Sequence, residues 1–335
     1  MKEVNELIKQ IKQGELKPVY AFDGEEPYFI DLLCEAFEND VLQPHEKDFN
    51  FNFTTFYGKD ATWSAVVNEC RSYPAFSQRR LVILKEASQL KDFTQLESYI
   101  QQPLPSTILV IAHKYKKIDG RSSIVKAIKK QGVYLTFDKI RDYNLSDWIL
   151  NYCTTKNIKI TPTNAELLGT YLGTDLQKIV NELEKVLINV GDKKEITAEL
   201  IEKYIGISKD YNVFQYPTAI LERNAEKSYR IANYFIANPK EGPMVLVTSM
   251  LYSQFSKLYQ YHYAKNMPAK DIAAVLKINS FFVKDYQKAS QLFNLSQTVE
   301  AIEIIHQYNL NAIGLNTATN DSTLLKELTA KLLLL

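Results

Sequence analysis

Residues 19–31, Val-Tyr-Ala-Phe-Asp-Gly-Glu-Glu-Pro-Tyr-Phe-Ile-Asp, decide the fold class of the first part of this chain. The apolar run 19–22 is typical of a strand that is buried on both faces, and Gly24 leads from it into a helix. A strand, a glycine turn and a helix form the place where nucleotide-binding α/β domains hold phosphate. The segment therefore predicts an α/β domain and marks Gly24 as the position of a phosphate-binding loop.

The loop at Gly24 lacks the residues that bind phosphate. A P-loop has the pattern GxxxxGK[ST], in which glycines let backbone N–H groups surround the phosphate, the lysine reaches its oxygens and the hydroxyl holds Mg²⁺. Counting from Gly24, Phe29 replaces the second glycine, Ile30 the lysine and Asp31 the hydroxyl residue. The two glutamates after Gly24 add negative charge where phosphate should sit. The sequence predicts a degenerate nucleotide site without a cofactor.

No other catalytic centre is indicated. The third strand of such a scaffold should be followed by an acidic pair for Mg²⁺ and the attacking water, but residues 81–84 are followed by Lys85 and Glu86. The histidines and cysteines are scattered, without metal-ligand spacing or a CxxC pair: His45, His113, His262, His306, Cys34, Cys70 and Cys153. We expect no intrinsic catalysis, no metal site and a reducing compartment.

The order of the apolar patterns predicts three domains. Five β-type runs alternate with helical periods up to about residue 140, which is typical of an α/β sheet: 19–22, 49–57, 81–84, 107–112 and 133–137. From residue 141 onward the strand signal disappears and only helices are predicted. We expect an α/β domain over 1–140, a helical module over 141–207 and a helical domain over 208–335, with a hinge at 206–211.

Charge and hydropathy narrow the function classes. The chain has 335 residues, and its 40 Lys and Arg against 39 Asp and Glu leave a net charge of +1. A protein that grips nucleic acid with its whole surface is usually far more basic, so any such contact must be local. No apolar run approaches the ~20 residues that span a bilayer. We expect a cytoplasmic protein with no membrane partner.

Four stretches together identify a known family. They occur over nearly the whole chain: residues 19–33 (VYAFDGEEPYFIDLL), 73–84 (YPAFSQRRLVIL), 168–187 (LGTYLGTDLQKIVNELEKVL) and 201–214 (IEKYIGISKDYNVF). In this order and spacing they resemble the delta subunit of the bacterial DNA polymerase III clamp loader. The resemblance implies an AAA+/RecA-like parallel-sheet domain with a degenerate P-loop, a small helical lid and a C-terminal helical collar.

The resemblance also implies a function. Members of this family bind the ring-shaped sliding clamp (beta) and favour its opened form for loading onto primed DNA. Their partners are the clamp, the motor subunits and delta prime of the loader, and primer-template DNA within the complex. The assembled DNA polymerase III holoenzyme is a DNA-directed DNA polymerase, a nucleotidyltransferase. ATPase relatives carry a γ-phosphate-sensing Arg in the lid, where this chain has Leu176 after Gly173-Thr174-Asp175.

The family's clamp contact is an apolar tip just before the third strand. In this chain the tip corresponds to Tyr73, Pro74, Ala75 and Phe76. Pro74 disfavours a continuing helix, and polar residues on both sides of the tip leave few internal places for an aromatic side chain. Two arrangements stay open: Phe76 projects as an anchor, or it folds back onto its own sheet. Some relatives have a large aliphatic residue where Ala75 stands, so Tyr73 or Pro74 is expected to share the anchoring.

Residues 113–130 form the most basic stretch of the chain. Lys114, Lys116, Lys117 and Arg121 follow the predicted fourth strand, at the edge where nucleotide-fold proteins place their functional loops. Such a cluster predicts a contact with DNA phosphates or an acidic partner, and a solvated helix face is the alternative.

A DNA-binding regulator is the alternative function. Residues 271–288 resemble a helix-turn-helix, with a turn near Asn279 and a second helix expected from Ser280. However, Lys277 occupies the turn position where Gly is usual. Phe281 and Phe282 stand where a recognition helix needs polar side chains.

Overall fold

The computed structural model describes residues 2–46, 52–190, 194–206, 211–240, 242–315 and 320–335. Its chain forms two compact units, Met1–Ile140 and Arg141–Leu335. The first unit matches the expected α/β domain. The further division of the second unit near residue 207 stays a prediction, because residues 207–210 of the expected hinge lie outside the described residues.

The first unit is built on a parallel sheet with the strand order β2-β3-β4-β1-β5. Its strands are β1 (Val19–Gly24), β2 (Phe53–Tyr57), β3 (Arg80–Lys85), β4 (Thr107–Lys114) and β5 (Gly132–Phe137). Its helices are α1 (Lys2–Lys12), α2 (Pro27–Asp40), α3 (Trp63–Arg71), α4 (Glu97–Ile100) and α5 (Ser123–Gln131). The alternation of strands and helices confirms the predicted α/β class.

Strand β1 is buried along its whole length, as its apolar run predicts. Val19 and Ala21 belong to the apolar cluster that contains residues of α3, α4 and α5. On the opposite face, the ring of Tyr20 lies 4.5 Å from the ring of Phe37 in α2. Successive side chains of a strand point to opposite faces, so continuous apolar sequence lets helices pack on both sides of the sheet.

The second unit is mainly helical. Its helices are α6 (Asp142–Thr155), α7 (Pro162–Leu172), α8 (Leu176–Leu187), α9 (Ala198–Ile205), α10 (Gln215–Leu221), α11 (Ala225–Ala237), α12 (Met244–Ala264), α13 (Ala269–Leu276), α14 (Val283–Leu292), α15 (Leu295–Ala312) and α16 (Asp321–Leu334). The expectation of helices alone was wrong in one detail, since β6 (Lys159–Ile160) and β7 (Glu195–Ile196) form a parallel pair. Strands of two residues are too short to show the alternation by which strands are recognised.

All three cysteines are buried and free. Burial raises the pKa of Cys34 to about 12 and that of Cys153 to about 11, and it raises the pKa of Cys70 as well. The thiols therefore stay protonated and unreactive in the folded chain. Separately, no helix in the described part of the chain is long and apolar enough to cross a membrane.

Candidate functional site

The turn between β1 and α2 is filled by the chain itself. Gly24 has a φ of +127°, and a Cβ atom added there would lie 2.0 Å from the backbone oxygen of Phe137. The backbone N–H of Gly24 donates to the carbonyl oxygen of Lys116 at 3.2 Å. The N–H of Glu26 donates to the carbonyl oxygen of Phe137 at 3.1 Å. These two backbone donors of the turn are therefore engaged in internal hydrogen bonds and are not available to a phosphate.

The N-terminus of α2 carries its own carboxylate. Glu26 is the N-cap residue, its side chain is buried, and it accepts a hydrogen bond from the backbone N–H of Tyr28 at 3.2 Å. A helix N-terminus attracts anions because its N–H groups and dipole present partial positive charge. A phosphate approaching α2 would meet a negative side chain that already satisfies this end of the helix.

The three substituted P-loop positions serve the fold. The ring of Phe29 lies 5.4 Å from the ring of Phe137, and Ile30 is completely buried. Asp31 forms an ion pair with the Nζ of Lys114. None of these side chains offers a positive charge or a hydroxyl to a phosphate.

Asp23 closes the same turn, a role that is not predicted from the sequence. Its carboxylate is fully buried, and its Oδ2 accepts hydrogen bonds from the backbone N–H of Ile118 and the hydroxyl of Tyr134, each at 2.6 Å. Burial, followed by the hydrogen bond to Asp23, raises the pKa of Tyr134 to about 12, so this hydroxyl keeps its proton. Asp23 thus fastens the segment after β4 and strand β5 over the end of β1. The available signal was an acidic residue at the end of an apolar strand.

Residues 73–76 lie in the loop between α3 and β3, and we call them the tip. The side chain of Phe76 is fully exposed and that of Tyr73 is 75% exposed, whereas Pro74 and Ala75 are half-buried. Phe76 projects into solvent and does not fold back onto the sheet. Its φ of +55° lies in the left-handed region that bulky residues rarely adopt.

The tip and the filled turn lie at opposite edges of the sheet. The turn follows the carboxyl end of β1, whereas the tip precedes the amino end of β3. All five strands are parallel, so their carboxyl ends share one edge and their amino ends the other.

Two family models match the chain. "DNA polymerase III, delta subunit" matches residues 20–138, and "DNA polymerase III delta subunit, C-terminal domain" matches residues 210–329. This chain belongs to the DNA polymerase III delta subunit family. The resemblance seen in the sequence is therefore confirmed. As a member of the delta family, the chain is a component of the DNA polymerase III holoenzyme and takes part in DNA replication. It associates with other subunits of that assembly.

A curated relative and a solved structure, both delta proteins of Bacillus subtilis, are similar to nearly the whole chain. The DNA polymerase III subunit delta of strain 168 is 28% identical over 337 residues, which cover 97% of this chain and 95% of that protein. The solved structure of the DNA clamp loader delta protein is 26% identical, with a TM-score of 0.53, and the match covers 99% of this chain and 100% of that chain. The likeness of the solved structure, together with the strand order above, supports a parallel-sheet domain followed by helices.

The basic stretch of this delta-family chain is partly neutralised. Lys114 pairs with Asp31, and Lys117 pairs with Asp138, whose hydrogen bond and charge raise the pKa of Lys117. Arg121 and Asp119 lie 3.5 Å apart on the surface, and the side chain of Lys116 is exposed. The contact of these four cations with DNA or an acidic partner stays a prediction, and the ion pairs reduce the charge available for it.

The segment that resembles a helix-turn-helix packs into the core of the second unit. Ile272 and Leu276 of α13 and Val283 and Tyr286 of α14 are all buried in one apolar cluster. The expected second helix begins at Ser280 as a short 3-10 helix, which continues directly into α14 at Val283. With the family established, we assign this segment to packing.

The position at which ATPase relatives carry the sensor arginine is also structural. Leu176 is completely buried at the start of α8, where the side chain of Asp175 caps the helix. A buried leucine cannot contact a γ-phosphate.

Proposed function

We propose that this chain binds the sliding clamp and opens its ring for loading onto primed DNA, without hydrolysing ATP itself. Phe76 carries this proposal, because a fully exposed aromatic side chain on a fixed loop contributes nothing to its own core. Buried in a pocket of a partner, such an anchor typically contributes ~2–4 kcal/mol to binding. Tyr73, also exposed, supplies a second aromatic surface in the same loop.

Ring opening follows if the chain prefers one form of the clamp. A ligand shifts an equilibrium between two conformations only by its difference in affinity for them. We therefore expect tighter binding to the opened clamp than to the closed ring. No nucleotide is needed for that preference, and the filled turn at Gly24 supports a subunit that leaves hydrolysis to the motor subunits of the loader.

The remaining partners follow from the family. We propose that the helices after residue 208 join the motor subunits and delta prime as a collar, and that primer-template DNA is met within the assembled complex in the cytoplasm. Tyr252 and Tyr263 of α12 are exposed and offer aromatic surface for such an interface.

Binding and opening are measured separately with the purified chain and the sliding clamp of the same organism. Titration should give a saturable complex, and the chain should speed the release of clamps from nicked circular DNA without ATP. Absence of a complex would contradict the whole proposal. A complex that leaves the release rate unchanged would contradict opening alone.

We expect no ATP binding by the isolated chain. The backbone N–H groups of Gly24 and Glu26 are engaged, and the Glu26 side chain repels a polyphosphate at the start of α2. Millimolar ATP with Mg²⁺ should leave the melting temperature unchanged, since a ligand stabilises a protein only by binding its folded state. A motor subunit of the loader serves as the positive control. If the Kd were below about 10 μM, millimolar ATP would raise the melting temperature measurably. Such a rise would contradict the prediction and show that the site still binds nucleotide.

A further inference from the structure

The buried side chain of Asn52 is hydrogen-bonded to the backbone of the tip. Its side chain is only 3% exposed, and it lies 23 positions before Ala75 in the sequence. The Oδ1 of Asn52 accepts a hydrogen bond from the N–H of Ala75 at 2.7 Å, and its Nδ2 donates to the carbonyl oxygen of Ala75 at 2.8 Å. Nδ2 also donates to the carbonyl oxygen of Glu46 at 3.0 Å. One amide side chain thus satisfies both backbone groups of a tip residue.

The two ends of the tip are held independently. At one end, the nearly buried Arg80 donates from Nη1 to the carbonyl oxygen of Tyr73 at 3.2 Å, and its Nη2 lies 2.7 Å from the Oε1 of Glu69. At the other end, the hydroxyl of Ser77 donates to the Oε1 of Glu46 at 2.7 Å. This bond from Ser77, with a second from the N–H of Gln43, lowers the pKa of Glu46 and keeps it ionised.

The side chains of the tip behave differently from its backbone. The backbone of Tyr73 and Ala75 is hydrogen-bonded to buried groups, while the side chains of Tyr73 and Phe76 project into water. The left-handed backbone of Phe76 is costly for an aromatic residue and persists only where surrounding contacts enforce it. The contacts described above enforce it, so the tip is organised before any partner arrives.

We propose that Asn52 is a positioning residue for clamp binding, which keeps the tip in its binding conformation although it does not touch the clamp. The proposal rests on the proposed function. When only a fraction of molecules hold the competent conformation, the apparent Kd rises by the inverse of that fraction. An organised loop also loses less conformational entropy on binding.

The test is the affinity of Asn52→Ala for the sliding clamp, measured with the full chain. We expect a Kd about 10-fold higher than that of the wild type, since a tenfold loss of the competent population gives this factor. In the background of Phe76→Ala, the effect of Asn52→Ala should be much smaller, because the main anchor is gone and only Tyr73 still depends on the position of the tip. A role confined to stability would not produce this coupling.

Val66→Ala is the matched control for lost stability. Val66 is completely buried in α3 of the same unit, and its truncation removes packing without changing a side-chain hydrogen bond. We expect Val66→Ala to lower the melting temperature and to leave clamp affinity unchanged. If it weakened binding as much as Asn52→Ala does, the positioning role would be rejected.

The outcomes separate the two proposals. If Phe76→Ala weakens clamp binding and Asn52→Ala does not, only the positioning role is overturned. If neither variant changes the affinity, the tip is not the clamp contact and the proposed function loses its site. If Asn52→Ala does not fold, Ser77→Ala takes its place. It removes the hydroxyl that donates to Glu46 and to the carbonyl oxygen of Arg79 and that accepts from the N–H of Arg79. We then expect a loss of about 3-fold that becomes smaller in the Phe76→Ala background, and additive effects would overturn the role.

Discussion

Phe76→Ala is expected to weaken binding to the sliding clamp of the same organism by at least about 30-fold. This factor corresponds to the loss of ~2 kcal/mol of binding free energy, which is typical when a central aromatic anchor is removed. The melting temperature should not fall, because the side chain is fully exposed and makes no core contact. Surface plasmon resonance with immobilised clamp gives the affinity and the dissociation rate. Most of the change should appear in the dissociation rate, as is usual for contacts within an interface.

Tyr115→Ala is the matched control for Phe76→Ala. Tyr115 is also an exposed aromatic residue with a left-handed backbone, at a φ of +66°, but it follows β4 at the opposite edge of the sheet. Its removal should leave the clamp affinity unchanged. Equal losses of clamp affinity in both variants would indicate nonspecific binding by exposed aromatic side chains. An unchanged affinity for Phe76→Ala would reject the tip as the contact.

Gly24→Ala is expected to lower the free energy of unfolding of the first unit by about 3 kcal/mol or more. Losses of this size are caused by severe backbone strain or by overpacking. The added Cβ would lie 2.0 Å from the oxygen, 2.7 Å from the carbon and 2.8 Å from the nitrogen of the Phe137 backbone. Phe137 ends strand β5, whose pairing with β1 limits any shift. The φ of +127° adds strain for any residue with a side chain. Urea denaturation followed by circular dichroism measures the loss.

Gly14→Ala separates backbone strain from the clash. Gly14 also has a positive φ, +75°, but a Cβ there would meet nothing within 4 Å. This variant should lose only about 1 kcal/mol, the usual cost of a side chain in the left-handed region. Similar losses at both glycines would show that the turn at Gly24 has room for a side chain, and the filled former nucleotide site would then be in doubt.

The architecture was largely predictable because its signals are local. Continuous apolar runs mark strands that are buried on both faces, and the five predicted runs overlap the five strands of the sheet. The loss of the P-loop was also readable, since it depends on which residue types follow Gly24 at fixed spacing. The pair β6 and β7 was not predicted, because strands of two residues carry too little pattern.

Residue types and their spacing were enough to indicate the α/β domain, the degenerate phosphate loop and the tip as the place to look for an anchor. They left open whether Phe76 projects or folds back. They also gave no sign of Asn52, which lies beside a strand and acts on a loop 23 residues away. Such roles depend on hydrogen bonds between distant segments, which arise only when the sheet brings the segments together. The folded chain therefore decides which polar side chains hold the tip and the turn, because burial leaves each of them one set of partners.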